Sequence, residues 1–404
     1  MLYTSKLVLY FCGTLLLSLW GIIPNMYTQQ IAPSEDNVIH NDSTLQLLFD
    51  KMYRLENRNT QNIDKLLKIP IVHIGDSHLQ TGVFTAVLRE RLQMQFGNAG
   101  RGLVFPYKVA KTNEPVTFVS LSNAVWEAKR CVFPEKPLPI GVSGITIKTT
   151  DPNATLSMDI RSANKLDYSF DHITVFTDTN DQSFDLQTND ELLNYPDGLY
   201  KRIIYLNRPS SNLQLYNRKN KPEQQYTNIY GISLEKAENG ILYHTIAVNG
   251  TQYQHLNQAA YFTAQLPELE PMLVIISLGT NEALNPNYTN ADFRYQIDQL
   301  VKKIKQTCPG AVVLLTTPAN SFKNRQPNAQ MHLVADVLRQ YANEKHLPYW
   351  DLNAIGGSET DWQNRKMLQS DGIHYTHQGY LFQGDLLHQA LLKSYTRYVS
   401  GRYK

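Results

Sequence analysis

Residues 69–78 read IPIVHIGDSH, a near-continuous apolar run that ends in Gly75-Asp76-Ser77. Such a run reads as a strand buried on both faces, and the turn after it reads as the start of a helix, which TAVLRERLQMQFG at 85–97 supplies. Two later runs repeat the pattern: PMLVIISLGTNE at 271–282 and AVVLLTTPAN at 311–320, each ending in small and polar residues. ADFRYQIDQLVKKIKQ (291–306) and AQMHLVADVLRQYANEKH (329–346) read as the helices between and after them. Apolar strands alternating with helices predict a parallel sheet covered on both faces, a three-layer α/β/α domain. Ahead of the first strand, Leu45, Leu48, Phe49, Met52 and Leu55 recur at helical spacing, with Ser43 available as an N-cap.

Between these elements the pattern changes. VTFVSL, GITIKTT, ATLSMDI, HITVFT, LYKRIIYL and LQLYN are short alternating runs separated by Asp, Asn, Pro and Gly, the signature of antiparallel β structure. α/β elements flank the stretch, so it is read as an antiparallel β-sandwich, jelly-roll-like, inserted into the α/β domain. The expected organisation is an N-terminal segment at 1–24, a linker at 25–42, the first α/β part at 43–114, the β insertion at 115–238 and the second α/β part at 239–404.

The totals exclude some functions. The 404 residues carry 38 basic and 36 acidic side chains, interspersed, so no basic stripe is present to release counterions from nucleic acid. Cys12, Cys131 and Cys308 match no metal-binding spacing and are too few for a disulfide framework; a Cys131–Cys308 bridge is weighed against separate buried thiols, and the thiols are preferred. Leu7 to Ile23 is an uncharged apolar run preceded by Lys6, about the minimum to cross a hydrocarbon core. With no convincing small-residue cleavage site after it, it is expected to be an uncleaved transmembrane helix that leaves the rest of the chain outside the cytoplasm.

The chemistry-bearing residues cluster at strand ends. Ser77 follows the first strand, where backbone N–H groups favour developing negative charge. Near the C-terminus, SDGIHYTHQGY (370–380) places Asp371 and His374 three residues apart, close enough for the carboxylate to reach Nδ1 while Nε2 faces a serine. His377 competes as the base, and the His-x-x-His pair suggests metal, but no further ligands accompany it at convincing spacing, so no metal or other cofactor is expected. Asn281 in SLGTNEA and Gly250 in HTIAVNGTQY each follow an apolar run and can offer an N–H to an oxyanion.

This combination resembles the SGNH/GDSL hydrolase superfamily over about residues 69–112 and 239–395, through Gly75-Asp76-Ser77, Gly250, Gly279-x-Asn281 and Asp371-x-x-His374. The resemblance implies Ser77 as nucleophile, Asp371 and His374 as its partners, and an oxyanion hole of the Ser77 and Gly250 amides with the Asn281 side chain. His78 stands where the family usually has leucine, and is read as a polar neighbour rather than a pocket-shaping residue. More narrowly, HIGDSH, FGNAGRGLVFPY and GILYHTIAVNG around a β-rich insertion look like the envelope O-acetylesterases of peptidoglycan and other glycans. That implies an acetylated glycan as partner, and an insertion resembling a carbohydrate-binding module, in which Trp126 is the aromatic residue to test. An O-acetyltransferase using the same serine and a non-catalytic glycan-binding envelope protein are the alternatives.

Overall fold

Lys68–Gly75 forms the expected strand, buried at every position but Lys68. Its side chains alternate between two apolar cores: Ile69 and Ile71 enter one, Val72 and Ile74 the other. The neighbouring strands Leu273–Ser277 and Val312–Thr316 split in the same way, with Ile275 and Leu314 on the first side and Val274, Ile276, Val313 and Leu315 on the second. Helices Gln46–Glu56, Val83–Phe96 and His377–Arg402 close the first core. Helices Asn290–Thr307 and Ala329–Glu344 close the second. The structure is a computed structural model that describes residues 35–58, 66–133, 138–162 and 166–402.

Spatially the sheet runs Ile39–His40, Tyr349–Trp350, Val312–Thr316, Leu273–Ser277, Lys68–Gly75, Gly240–Ala247. All neighbours are parallel except the first pair. Numbered along the chain, the five parallel strands therefore lie in the order 2-1-3-4-5, whose direction of winding reverses between Lys68–Gly75 and Leu273–Ser277. A crevice opens outside the carboxyl ends of the strands at such a reversal.

Among the described residues the antiparallel part forms three sheets. Five strands, Glu191–Pro196, Lys201–Ser210, Phe170–Phe176, Gly231–Glu235 and Gly100–Val104, form the largest. A four-stranded sheet contains Thr155–Ile160 and Asn212–Arg218, whose Leu156, Met158, Ile160, Leu213 and Leu215 point into the same core as Ile173, Val175, Ile204, Ile232 and Leu234 of the first. That core is continuous with the second core of the parallel sheet, and Ser34–Lys404 form one compact unit.

Several expectations change. Gly100–Val104 pairs with Gly231–Glu235, so antiparallel structure begins at 100 and not at 115. This entering strand also lies against the leaving strand Gly240–Ala247: the Leu103 N–H donates to His244 Nδ1 at 3.1 Å. Gly102, at φ +75°, sits where a Cβ would collide with the Tyr243 carbonyl. The linker expected to reach residue 42 is docked from Asn37, whose Oδ1 accepts from the Trp350 indole at 2.9 Å while Ile39 pairs with Trp350. Ser43 lies inside a 3-10 turn, Asp42–Leu45, instead of capping the helix. Trp126 is only 5% exposed and its indole donates to Ser122 Oγ at 2.8 Å, which makes it a core residue and not a sugar platform. Cys131 and Cys308 are both buried and form no bridge to each other, and Cys131 Sγ lies 3.5 Å from Thr251 Oγ1. No described helix is long and apolar enough to cross a membrane, and the run Leu7 to Ile23 lies outside the described residues.

Candidate active site

Ser77 opens a short helix, Ser77–Gln80, immediately after the central strand. Asp76 caps that turn by accepting the His78 N–H at 3.0 Å. His374 arrives from the far end of the chain, and its Nε2 lies 3.0 Å from Ser77 Oγ. Nδ1 of the same ring is 2.7 Å from Asp371 Oδ2, while Asp371 Oδ1 accepts the Ile373 and His374 N–H groups at 2.9 Å each. The three-residue spacing read from the sequence thus closes a one-turn loop that fixes carboxylate and imidazole together. Burial raises the Asp371 carboxyl, but the His374 ring and the two N–H groups outweigh it and hold the group below its ordinary range. The carboxylate therefore stays ionised and fixes the proton on Nδ1, leaving Nε2 to accept from the serine. His377 is exposed at the start of the last helix, and the contact to Ser77 is made by His374 instead.

The two expected oxyanion donors follow the strands on either side of the one that leads to Ser77. Gly250 adopts φ +82°, a backbone that side-chain-bearing residues rarely take, and its N–H has no backbone acceptor among the described residues. Asn281 lies in the helical turn Thr280–Leu284, and its Nδ2 donates to Asp76 Oδ2 at 3.0 Å and to the Thr251 carbonyl at 3.1 Å. Both acceptors of the Asn281 amide are thus protein groups, and Asp76 ties the turn that carries Ser77 to the asparagine. Burial raises the Asp76 carboxyl, opposed chiefly by His78.

Some groups of the site carried no signal of their own in the sequence. In the sequence Asp76 is legible only as part of Gly75-Asp76-Ser77, and its link to Asn281 spans 205 positions. His78 packs beside His374, with ring centroids 5.4 Å apart, and its Nδ1 lies 3.1 Å from the Tyr380 hydroxyl on the last helix. Desolvation lowers its pKa, and His374 adds to this against the carboxylates of Asp76 and Asp371. His78 is thus a neutral packing partner of His374, which deepens the plain neighbour role read from the sequence. His73, inside the strand, spans to Tyr243 (2.5 Å) and Ser277 (2.7 Å); burial lowers it to about 3, so it braces three strands as a neutral ring.

Residues 217–381 match the GDSL-like lipase/acylhydrolase family, a stretch that includes Gly250, Asn281, Asp371 and His374. Ser77 lies outside it, separated by the β-rich segment. This match covers less than half of the chain; together with the fold it supports an SGNH-type acylhydrolase, an esterase by class. A solved structure described as a peptidoglycan O-acetylesterase in action superimposes with a TM-score of 0.72 over 86% of this chain and 96% of its own, at 22% identity. A lipase/acylhydrolase from Enterococcus faecalis (23% identity, 37% of this chain and 75% of that one, TM-score 0.31) matches over a much smaller region. So does an acetylxylan esterase from Geobacillus stearothermophilus (17%, 39% and 73%, 0.30). Among curated protein sequences, none matches.

Proposed function

We propose that this esterase removes O-acetyl groups from peptidoglycan or another envelope polysaccharide through an acyl-enzyme on Ser77. The observation that carries the reading is the continuous chain from Ser77 Oγ through His374 to Asp371, at 3.0 and 2.7 Å. His374 Nε2 takes the Ser77 proton as Oγ attacks the acetyl carbonyl. The oxyanion forms between the Ser77 and Gly250 N–H groups and the Asn281 amide, which exchanges one of its present acceptors for it. Collapse expels the sugar hydroxyl with the proton from His374. Water, deprotonated by the same ring, then attacks acetyl-Ser77, and acetate leaves as Oγ regains its proton.

The glycan half of the reading is supported by the shared fold with a structure described as a peptidoglycan O-acetylesterase, which extends over most of this chain. In this reading the apolar run Leu7 to Ile23 anchors the protein, with its catalytic part outside the cytoplasm, and a flexible tether of n residues reaches only ~5–6 Å × √n, which keeps the site near the membrane's outer face. The test compares acetate release from O-acetylated peptidoglycan, an acetylated polysaccharide and soluble acetyl and palmitoyl esters. The expected result is release from a glycan and preference for acetyl over palmitoyl. Preference for the long chain with no release from any glycan overturns the assignment, and acetylated glycan formed faster than free acetate from a donor–acceptor mixture would make the protein a transferase.

A further inference from the structure

Next to Asn281 the chain buries a carboxyl that the triad does not use. Glu282 is 7% exposed; its Oε1 accepts the Tyr253 N–H at 2.8 Å, and its Oε2 has no hydrogen-bond partner. The hydroxyls of Tyr253 and Tyr288 are buried without a partner as well. Unpaired buried polar atoms are costly and uncommon, and the two carried by residues that line an open cleft, Glu282 and Tyr288, point to a ligand that engages them. Burial pushes the Glu282 carboxyl up to about 8, so at neutral pH it is an uncharged acid able to donate.

Glu282 and Tyr288 line a solvent-open cleft, with Gln252, Gln254, Asn285 and Asn287 among its walls. No Lys, Arg or His lines it, so an anionic ligand would find no counter-charge. Side-chain amides present donors and acceptors together, which suits hydroxyl and acetamido groups. The cleft also adjoins the reaction centre: Gln252 Nε2 donates to the Asn281 carbonyl at 3.0 Å, and Gln252 follows Thr251, whose carbonyl holds the Asn281 amide.

We propose that this cleft is a subsite for a neutral sugar residue adjoining the acetylated one on the same glycan chain. The proposal rests on the glycan reading above. The polymer is held by its neighbouring ring while its ester reaches Ser77, so the subsite favours polymeric over small esters.

Tyr288→Phe and Asn287→Ala test it in the full-length protein. Tyr288→Phe removes only an unpartnered hydroxyl and keeps the ring packed on Phe293. For each variant, kcat/KM is measured for acetate release from O-acetylated peptidoglycan and from 4-nitrophenyl acetate. The expected result is a fall of about tenfold in the ratio of polymer to small-ester kcat/KM, carried by KM, with no drop in the melting temperature of Tyr288→Phe. A ratio unchanged in both variants, with wild type active on the glycan, overturns the subsite alone. Wild type that cleaves 4-nitrophenyl acetate but releases nothing from any glycan overturns the glycan reading and the subsite with it.

Discussion

The parallel sheet and the antiparallel sheets use their strands differently. In the parallel sheet the strand interiors are mostly apolar and the proposed site lies just past their ends: Ser77, Gly250 and Asn281 follow strands that finish at Gly75, Ala247 and Ser277. In the antiparallel part the alternating faces are the point, because Leu156, Met158, Leu213 and Leu215 exist to build a core. A parallel strand buried on both faces has no side chain to spare, so chemistry moves to the loops; an antiparallel strand spends one face on packing and keeps the other for contact.

Substitutions at the strand ends and in the antiparallel core should therefore separate activity from stability. Ser77→Ala should reduce ester turnover by roughly 10⁴- to 10⁶-fold at an unchanged melting temperature; a fluorophosphonate label that still attaches elsewhere with full activity would place the chemistry off the parallel sheet. Asp371→Asn, which keeps the shape and loses the charge beside His374, should cost about 10⁴-fold in kcat. Asn281→Ala should cost about 10² to 10³ in kcat, read on a small acetyl ester so that polymer binding does not enter.

Trp126→Ala reverses the pattern. Removing a buried indole from the antiparallel core should cost ~3–5 kcal/mol in denaturant unfolding, with kcat/KM on 4-nitrophenyl acetate within about twofold of wild type. A large catalytic loss at intact stability would show that the two parts are not functionally distinct.

The smallest effect concerns Glu282 and is a matter of sign. Its folded pKa, about 8, lies above its ordinary value, so between about 4.5 and 8 the unfolded chain is ionised while the native protein keeps the proton. Wild-type stability therefore falls as pH rises through that window. Glu282→Gln removes the titration, so its melting temperature relative to wild type should climb from pH 5 to pH 8; a flat difference would mean that the carboxyl is not held protonated.

What the sequence disclosed follows the same division. The long runs before Ser77 and Asn281 are unambiguous because burial on both faces leaves them almost wholly apolar, with His73 the polar residue within the first, and Asp371 and His374 are legible because their pairing is completed within one turn. Gly100–Val104 escaped because GRGLV carries two glycines and an arginine in five residues, hiding any alternation. Ile39–His40 is too short to show a period at all and is held by pairing with Trp350. Trp126 could not be placed from sequence, since an aromatic residue between alternating runs is equally at home in a core or on a surface. The tie between Asp76 and Asn281 joins distant segments, and only the assembled sheet brings them together.

The seam between the entering strand Gly100–Val104 and the leaving strand Gly240–Ala247 has a bearing on protein engineering. The β-rich segment is not a cassette that can be lifted out at two loops: His244, whose pKa burial lowers to about 4, is neutral and needs the Leu103 N–H for its Nδ1, and Gly102 is shaped to the backbone at Tyr243. A chimera that exchanged the segment for that of another hydrolase would have to transplant both sides of this junction, or redesign the outer strand of the parallel sheet along with the graft.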